Sequence, residues 1–172
     1  MSTKSFNPKY IFNAADSFLK TAHNSLYVFY DEKNKQPDHV AISIIANYSF
    51  ATELFLKSIL TAQGKPATGH NLADLFEQLD QSTKNELEQD KSLTRLDIQE
   101  FKIKNNEIEA ENEEAREKFS FSETMKMYEN SFIDYRYLYE KTKDDKYTKN
   151  SIYGILIASH TLRRKARDIV FG

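Results

Sequence analysis

Residues 38–62 are apolar on nearly every side of a helical wheel. Val40, Ile42, Ile44, Ile45, Tyr48, Phe50, Leu54, Phe55, Leu56, Ile59 and Leu60 leave no continuous polar face. A helix of that kind cannot rest on a surface, because every side would expose apolar area to water. The segment therefore predicts a central helix enclosed by others. Its charged residues Glu53 and Lys57 stand one turn apart, an i,i+4 pair.

The rest of the chain supplies the cover. Pro8 suits a first helical turn, and Ile11, Ala15, Phe18, Ala22, Leu26 and Phe29 form a stripe at helical spacing, which predicts a helix over residues 8–30. Residues 31–37 read as a polar loop. After the central helix, Gly64 and Gly69 with Pro66 mark a second loop, and Asn71 reads as the N-cap of a short helix, with Asp74 three positions on and Leu72, Leu75, Phe76 and Leu79 as its apolar face. A further helix is expected from Ser122 as N-cap, with a stripe of Met125, Tyr128, Phe132, Tyr135 and Tyr139. The last is expected over residues 148–171, with Ile152, Ile155, Leu156, Ser159, Leu162, Ala166, Ile169 and Val170 inward. Residues 82–119 are sparse in apolar side chains and fit either a solvated helix or a mobile excursion. The expected fold is all-α: one domain over residues 1–172, an antiparallel up-and-down bundle of four to five helices with a charged excursion at about 82–120.

Composition agrees with this fold. The 172 residues include only 4 Gly and 3 Pro, few breakers for an all-β fold, and 40% hydrophobic residues, enough for a core. No cysteine occurs, which excludes disulfides, Cys-ligated zinc and Cys nucleophiles and fits a cytoplasmic location. Residues 1–6 lack an apolar signal region, and no apolar run is long enough for a bilayer, so no membrane association is expected. The net charge of −2 gives no global pull toward nucleic acid, but its distribution is uneven. Residues 84–118 carry 11 acidic and 7 basic side chains, whereas residues 141–172 carry 8 basic and 3 acidic ones. An anionic partner would meet the C-terminal end, although basic residues near a helix C-terminus also suit its macrodipole.

The motif content excludes several chemistries. No two of His23, His39, His70 and His160 stand at i,i+3 or i,i+4, and no Glu-x-x-His, His-Glu-x-x-His or glycine-rich phosphate loop occurs. No metal and no cofactor is expected. Arg136 falls on an aromatic stripe and Arg163 on an apolar one, so each needs a partner or must reach out to solvent. Glu140, one turn from Arg136, is a local partner, and Glu53 is one across the bundle. His70, beside Gly69, could line a site at the end of the bundle or serve as an ordinary loop histidine. His160 shares a face with Arg164 and Arg167. That combination could hold a phosphate, or it could be a chance of surface spacing.

Three segments resemble the HEPN family. They are Glu53-Leu54-Phe55-Leu56-Lys57, then Gly69-His70-Asn71-Leu72 after a glycine loop, and later the aromatic stretch Phe132-Ile133-Asp134-Tyr135-Arg136-Tyr137-Leu138-Tyr139-Glu140. The resemblance implies a helical bundle, commonly a homodimer, in a bacterial or archaeal defence or toxin–antitoxin setting. A nucleotidyltransferase-like neighbour is one partner it suggests. Many members are metal-independent ribonucleases with an arginine followed roughly four to six residues later by a histidine, the arginine facing phosphate charge and the histidine moving a proton. Here residues 137–143 contain no histidine, and no other arginine has one at that spacing downstream. The family's catalytic pair is thus not present in its usual form. The leading expectation is a non-catalytic module binding RNA or a partner protein, with Arg163, Arg164, Arg167, His160, Lys57 and Glu53 as candidate contacts and no DNA as ligand. The alternatives are a ribonuclease with an atypical site around Arg136, His70 and Glu140, or an unrelated helical interaction protein. For a homodimer, Tyr135, Tyr137, Tyr139, Tyr147 and Tyr153 are more tyrosines than one bundle interior readily buries.

Overall fold

The computed structural model describes residues 6–31, 39–90, 120–132 and 152–172. Among these residues the chain is all helical: α1 (Pro8–Asp31), α2 (His39–Ala62), α3 (Leu72–Glu77), α4 (Gln81–Gln89), α5 (Phe121–Met127) and α6 (Ile152–Phe171). The molecule is an all-α bundle built around α2.

Ring and ion-pair contacts fix the helix directions. Phe12 meets Phe55 and Phe18 meets Phe50, so α1 and α2 are antiparallel. Phe12 also meets Phe171, Asp16 meets Arg163 and His23 meets His160, so α1 and α6 are antiparallel as well. On α2, Ile44, Ile45, Tyr48, Ala51, Phe55, Leu56, Ile59 and Leu60 are all buried, as expected of a central helix.

The buried line of α1 is Phe12, Ala15, Leu19, Ala22 and Leu26, with Ile11 and Phe18 only half-buried beside it. This is a rotation from the expected stripe. The 3,4,3,4 spacing points one narrow seam at α2 and α6, and Phe18 is left to cover Phe50 from the side. On α6 the burial is broader than a stripe: Ile155, Leu156, Ile157, Ala158, Ser159, Thr161 and Leu162 are all buried, then Ala166 and Val170. Gly154 lies against the Tyr128 ring, where a Cβ would stand 3.4 Å from Tyr128 Cε2, at the short edge of ordinary contact.

The central helix stops at a Schellman motif. Gly64 takes φ +70°, Lys65 N–H donates to Leu60 O at 2.9 Å and Gly64 N–H to Thr61 O at 3.1 Å. Asn71 caps α3 as expected, its Oδ1 accepting from Asp74 N–H at 2.9 Å. Leu72, Leu75, Phe76 and Leu79 are all buried.

Two expectations meet different outcomes. First, the start of the stretch left open between a solvated helix and a mobile excursion is helical, as α4. Asp80 caps it, accepting from Thr83 N–H at 2.8 Å and Thr83 Oγ1 at 2.9 Å, and Leu87 and Thr83 anchor it. Second, the N-cap of α5 is Ser120 rather than Ser122, and the chain turns at 128–130 instead of running on as one helix. The Glu129 carbonyl is taken by Leu72 N–H at 2.9 Å, which ties this turn to the start of α3. The expected helix beyond residue 132, with Arg136, Glu140 and the tyrosines 135, 137, 139 and 147, lies outside the described residues, as do 91–119.

Candidate functional site

Glu53 is the most unusual side chain on α2. It is 1% exposed, although a carboxylate is costly to remove from water unless it is paired. Lys57, one turn later, donates from Nζ to Glu53 Oε1 at 2.7 Å. His70 places Nδ1 at 2.9 Å from the same oxygen. Glu53 Oε2 is buried and makes no hydrogen bond among the described residues. Within them, one carboxylate thus has two partners on one oxygen and none on the other.

Local backbone explains how a loop histidine reaches a buried glutamate. The Schellman turn reverses the chain at the end of α2, and Gly69 takes φ +91°, a conformation open to glycine but strained for residues with a Cβ. Immediately downstream, the Asn71 cap and the Leu72–Glu129 bond fix the start of α3. His70 is therefore held from both sides. Its side chain remains 56% exposed, whereas that of Lys57 is 16% exposed. Among the three, only the imidazole offers a large surface to a ligand.

The basic C-terminal helix behaves differently. Arg163 Nε donates to Asp16 Oδ1 at 2.5 Å across the α1–α6 contact, and Lys20 also holds Asp16 at 2.8 Å. Arg164 donates to Asp90 at 3.0 Å, and Lys165 pairs with Glu86 of α4. Arg167 is exposed. His160 lies against His23 of α1, with ring centroids 6.1 Å apart. The face that sequence assembled from His160, Arg164 and Arg167 is thus divided: His160 turns to α1 and Arg164 to the end of α4. Arg164, Lys165 and Asp168 border an open depression of about 310 Å³ with Glu86, Leu87 and Asp90 on its other side. Acids and bases alternate there, so it presents no single sign of charge to an anion.

Three carboxyls carry the electrostatic imprint of these contacts. Burial resists ionisation of Asp16, but hydrogen bonds from Lys20 and Arg163, with their charges, outweigh it and hold the carboxyl below its usual range. Asp80 is lowered mainly by the Thr83 backbone N–H, and Glu86 by its hydrogen bond from Lys165.

The structure therefore joins Glu53, Lys57 and His70, while Arg163, Arg164 and Lys165 pair with Asp16, Asp90 and Glu86. Arg136 and Glu140 lie outside the described residues. Sequence reasoning missed Asp16, Glu86 and Asp90 as partners of the C-terminal cations, because pairs so distant in sequence have no local spacing signal. Among the described residues, no group of three or more His, Cys, Asp or Glu side chains could hold a metal, and no helix is long and apolar enough to cross a membrane. In comparisons with protein-family models, curated proteins and solved structures, nothing matches this chain.

Proposed function

We propose that the chain is a HEPN-like helical module of a bacterial defence or toxin–antitoxin type system, which binds RNA or a partner protein without itself turning over a substrate. One observation carries this: Glu53 and Lys57 of the first resembling segment and His70 of the second, separated by a loop, meet through Glu53 Oε1. A buried carboxylate that holds a half-exposed imidazole is a costly arrangement for stability alone, which supports a binding role for His70. The lack of the usual arginine–histidine spacing supports the non-catalytic assignment. In the assay, fluorescently labelled RNA is titrated with the purified protein, and the same RNA is incubated with and without EDTA. Binding without cleavage is the expected result. Cleavage that survives EDTA and is lost in Arg136→Ala would overturn it.

The ribonuclease alternative keeps one specific support. An imidazole held at Nδ1 by a carboxylate, on a side chain that remains 56% exposed, is the arrangement used for acid–base work. On this second reading His70 moves the proton, Arg136 faces the phosphate and Glu140 supports Arg136. Cleavage falling in both His70→Ala and Arg136→Ala is its expected signature.

A further inference from the structure

We infer that the end of the bundle where α1 begins and α6 closes is a docking surface for a partner protein, which brings to it a segment of apolar side chains flanked by carboxylates. The inference rests on the partner-protein half of the proposed function.

Among the described residues four large hydrophobic side chains are exposed, and three of them stand at this one end. Phe6 is 69% exposed, Tyr10 75% and Phe171 47%, whereas the fourth, Met127, belongs to α5. Single apolar residues on a surface need no explanation, but aromatic ones gathered together mark a contact. The antiparallel course of α1 and α6 gathers them. Phe171 leans on Phe12 with ring centroids 5.2 Å apart, and Lys9 Nζ sits 5.3 Å from the centroid of Phe171. On the helical wheel of α1, Lys9 falls between Phe12 and Tyr10, so the exposed rings of Phe171 and Tyr10 flank it. Phe12 and Lys9 already hold the Phe171 ring, so little of its freedom remains to be lost when it is covered.

Charge selects the kind of partner. Arg167 stands one turn before Phe171, on the side of α6 from which Arg163 reaches α1. Asp168 is on the other side, where Lys165 faces α4. Lys9 and Arg167 are exposed, and neither makes an ion pair among the described residues. Covering a cation without a counter-charge is costly, so whatever covers these rings must bring carboxylates to Lys9 and Arg167. Two cations are few for the other surfaces that take aromatic and basic side chains together. A nucleic acid asks for several phosphate contacts, and an anionic bilayer for a cluster of about four to eight basic residues. A short apolar and acidic protein segment fits what is present.

The test uses the immobilised full-length protein to select from a phage-displayed library of random peptides. Enriched peptides are expected to join aromatic or aliphatic residues with Asp or Glu. The most enriched one is then made synthetically and titrated with fluorescence anisotropy as readout. Tyr10→Ser and Lys9→Glu are each expected to weaken its binding about tenfold, and Met127→Ser to leave it unchanged. Tyr10 and Lys9 are exposed, so these variants keep the fold, which circular dichroism checks; Phe171→Ser is less clean because Phe171 also packs on Phe12. No enriched sequence, enrichment without acidic residues, or a peptide indifferent to both Tyr10→Ser and Lys9→Glu would sink the inference. So would a dimer in sedimentation that Tyr10→Ser dissociates, which makes a second copy the occupant. RNA or phosphatidylglycerol vesicles held through Tyr10 and Lys9 would overturn it in favour of a polyanion or a bilayer. A peptide lost in His70→Ala but not in Tyr10→Ser would overturn it too, while leaving the partner-protein reading in place at His70.

Discussion

Thr52 Oγ1 and Ser159 Oγ stand 2.7 Å apart where α2 crosses α6, and both side chains are fully buried. Each hydroxyl also lies within hydrogen-bond reach of a carbonyl one turn back on its own helix, Thr52 of Tyr48 O at 2.9 Å and Ser159 of Ile155 O at 2.6 Å, so the two protons are shared among these acceptors. Ser159 further reaches Tyr48 O at 3.2 Å, so the two backbones approach closely through small side chains. Thr52→Val keeps the shape and removes one hydroxyl; about 1 kcal/mol of stability is expected to go. Ser159→Leu adds volume to the tightest point of the contact and is expected to cost about 1–3 kcal/mol. Urea denaturation measures both. Ser159→Leu at or above wild-type stability would mean that the helices do not approach as described.

Glu53 and Lys57 allow a sharper test, because a buried ion pair is destabilised more by breaking it than by replacing it. Lys57→Met leaves His70 as the only donor to Glu53 among the described residues. A loss of about 2 kcal/mol is expected, less than for a fully buried pair because Lys57 keeps 16% exposure and water can reach its place. The double variant Glu53→Leu with Lys57→Met removes both charges and is expected within about 1 kcal/mol of wild type. If the double variant loses as much as the single one, the charge itself is not what Lys57 compensates.

Acid should remove the stabilisation that Asp16 gains from its cations. Its folded-state carboxyl lies below the ordinary value of 3.8, so the unfolded chain takes up a proton before the folded one does. The stabilisation is fully present above that value and is lost as pH falls through the lower, folded one. Denaturation midpoints at pH 7 and pH 3 are expected to differ less for Asp16→Asn than for wild type. Asp80 is shifted in the same direction, but Asp80→Asn keeps a capping side chain and serves as the comparison. An equal acid response in wild type and Asp16→Asn would show that the Arg163 and Lys20 contacts do not persist in solution.

The sequence disclosed what local spacing controls. The all-round apolar pattern identified α2 as central, Asn71 announced the start of α3, and Glu53 with Lys57 could be paired by their interval of four. It did not disclose contacts made across the fold. Asp16 with Arg163, Thr52 with Ser159, and Glu86 with Lys165 join residues far apart in the chain, and no periodicity encodes them. The rotation of α1 was hidden because Ile11 and Phe12 are both apolar neighbours, so only packing decides which turns inward. His70 was legible as a residue of interest from its loop, but its hold on Glu53 depends on the reversal after Gly64 and on the unusual φ of Gly69. The start of α5 was misplaced for a related reason: Ser120 and Ser122 are equally good caps by type, and what distinguishes them lies on another helix.

That distant element is Glu88 near the end of α4. Its Oε2 accepts from Phe121 N–H at 2.9 Å and its Oε1 from Ser122 N–H at 2.7 Å, while Ser120 Oγ accepts from Glu123 N–H at 3.3 Å. The first turn of α5 therefore has three of its free amides satisfied, two of them by one carboxylate whose charge also suits the positive end of a helix. Ser122 sits inside this turn as a helical residue because Glu88 has already taken its N–H. Glu88→Ala is expected to cost about 1–3 kcal/mol, since it leaves Phe121 N–H and Ser122 N–H without the carboxylate, whereas Ser120→Ala removes one bond and is expected to cost about 1 kcal/mol. Hydrogen exchange locates the loss: in Glu88→Ala the amides of Phe121 and Ser122 should exchange faster than those of α2. If the two variants cost the same and the exchange of Phe121 and Ser122 is unchanged, α5 starts without help from α4.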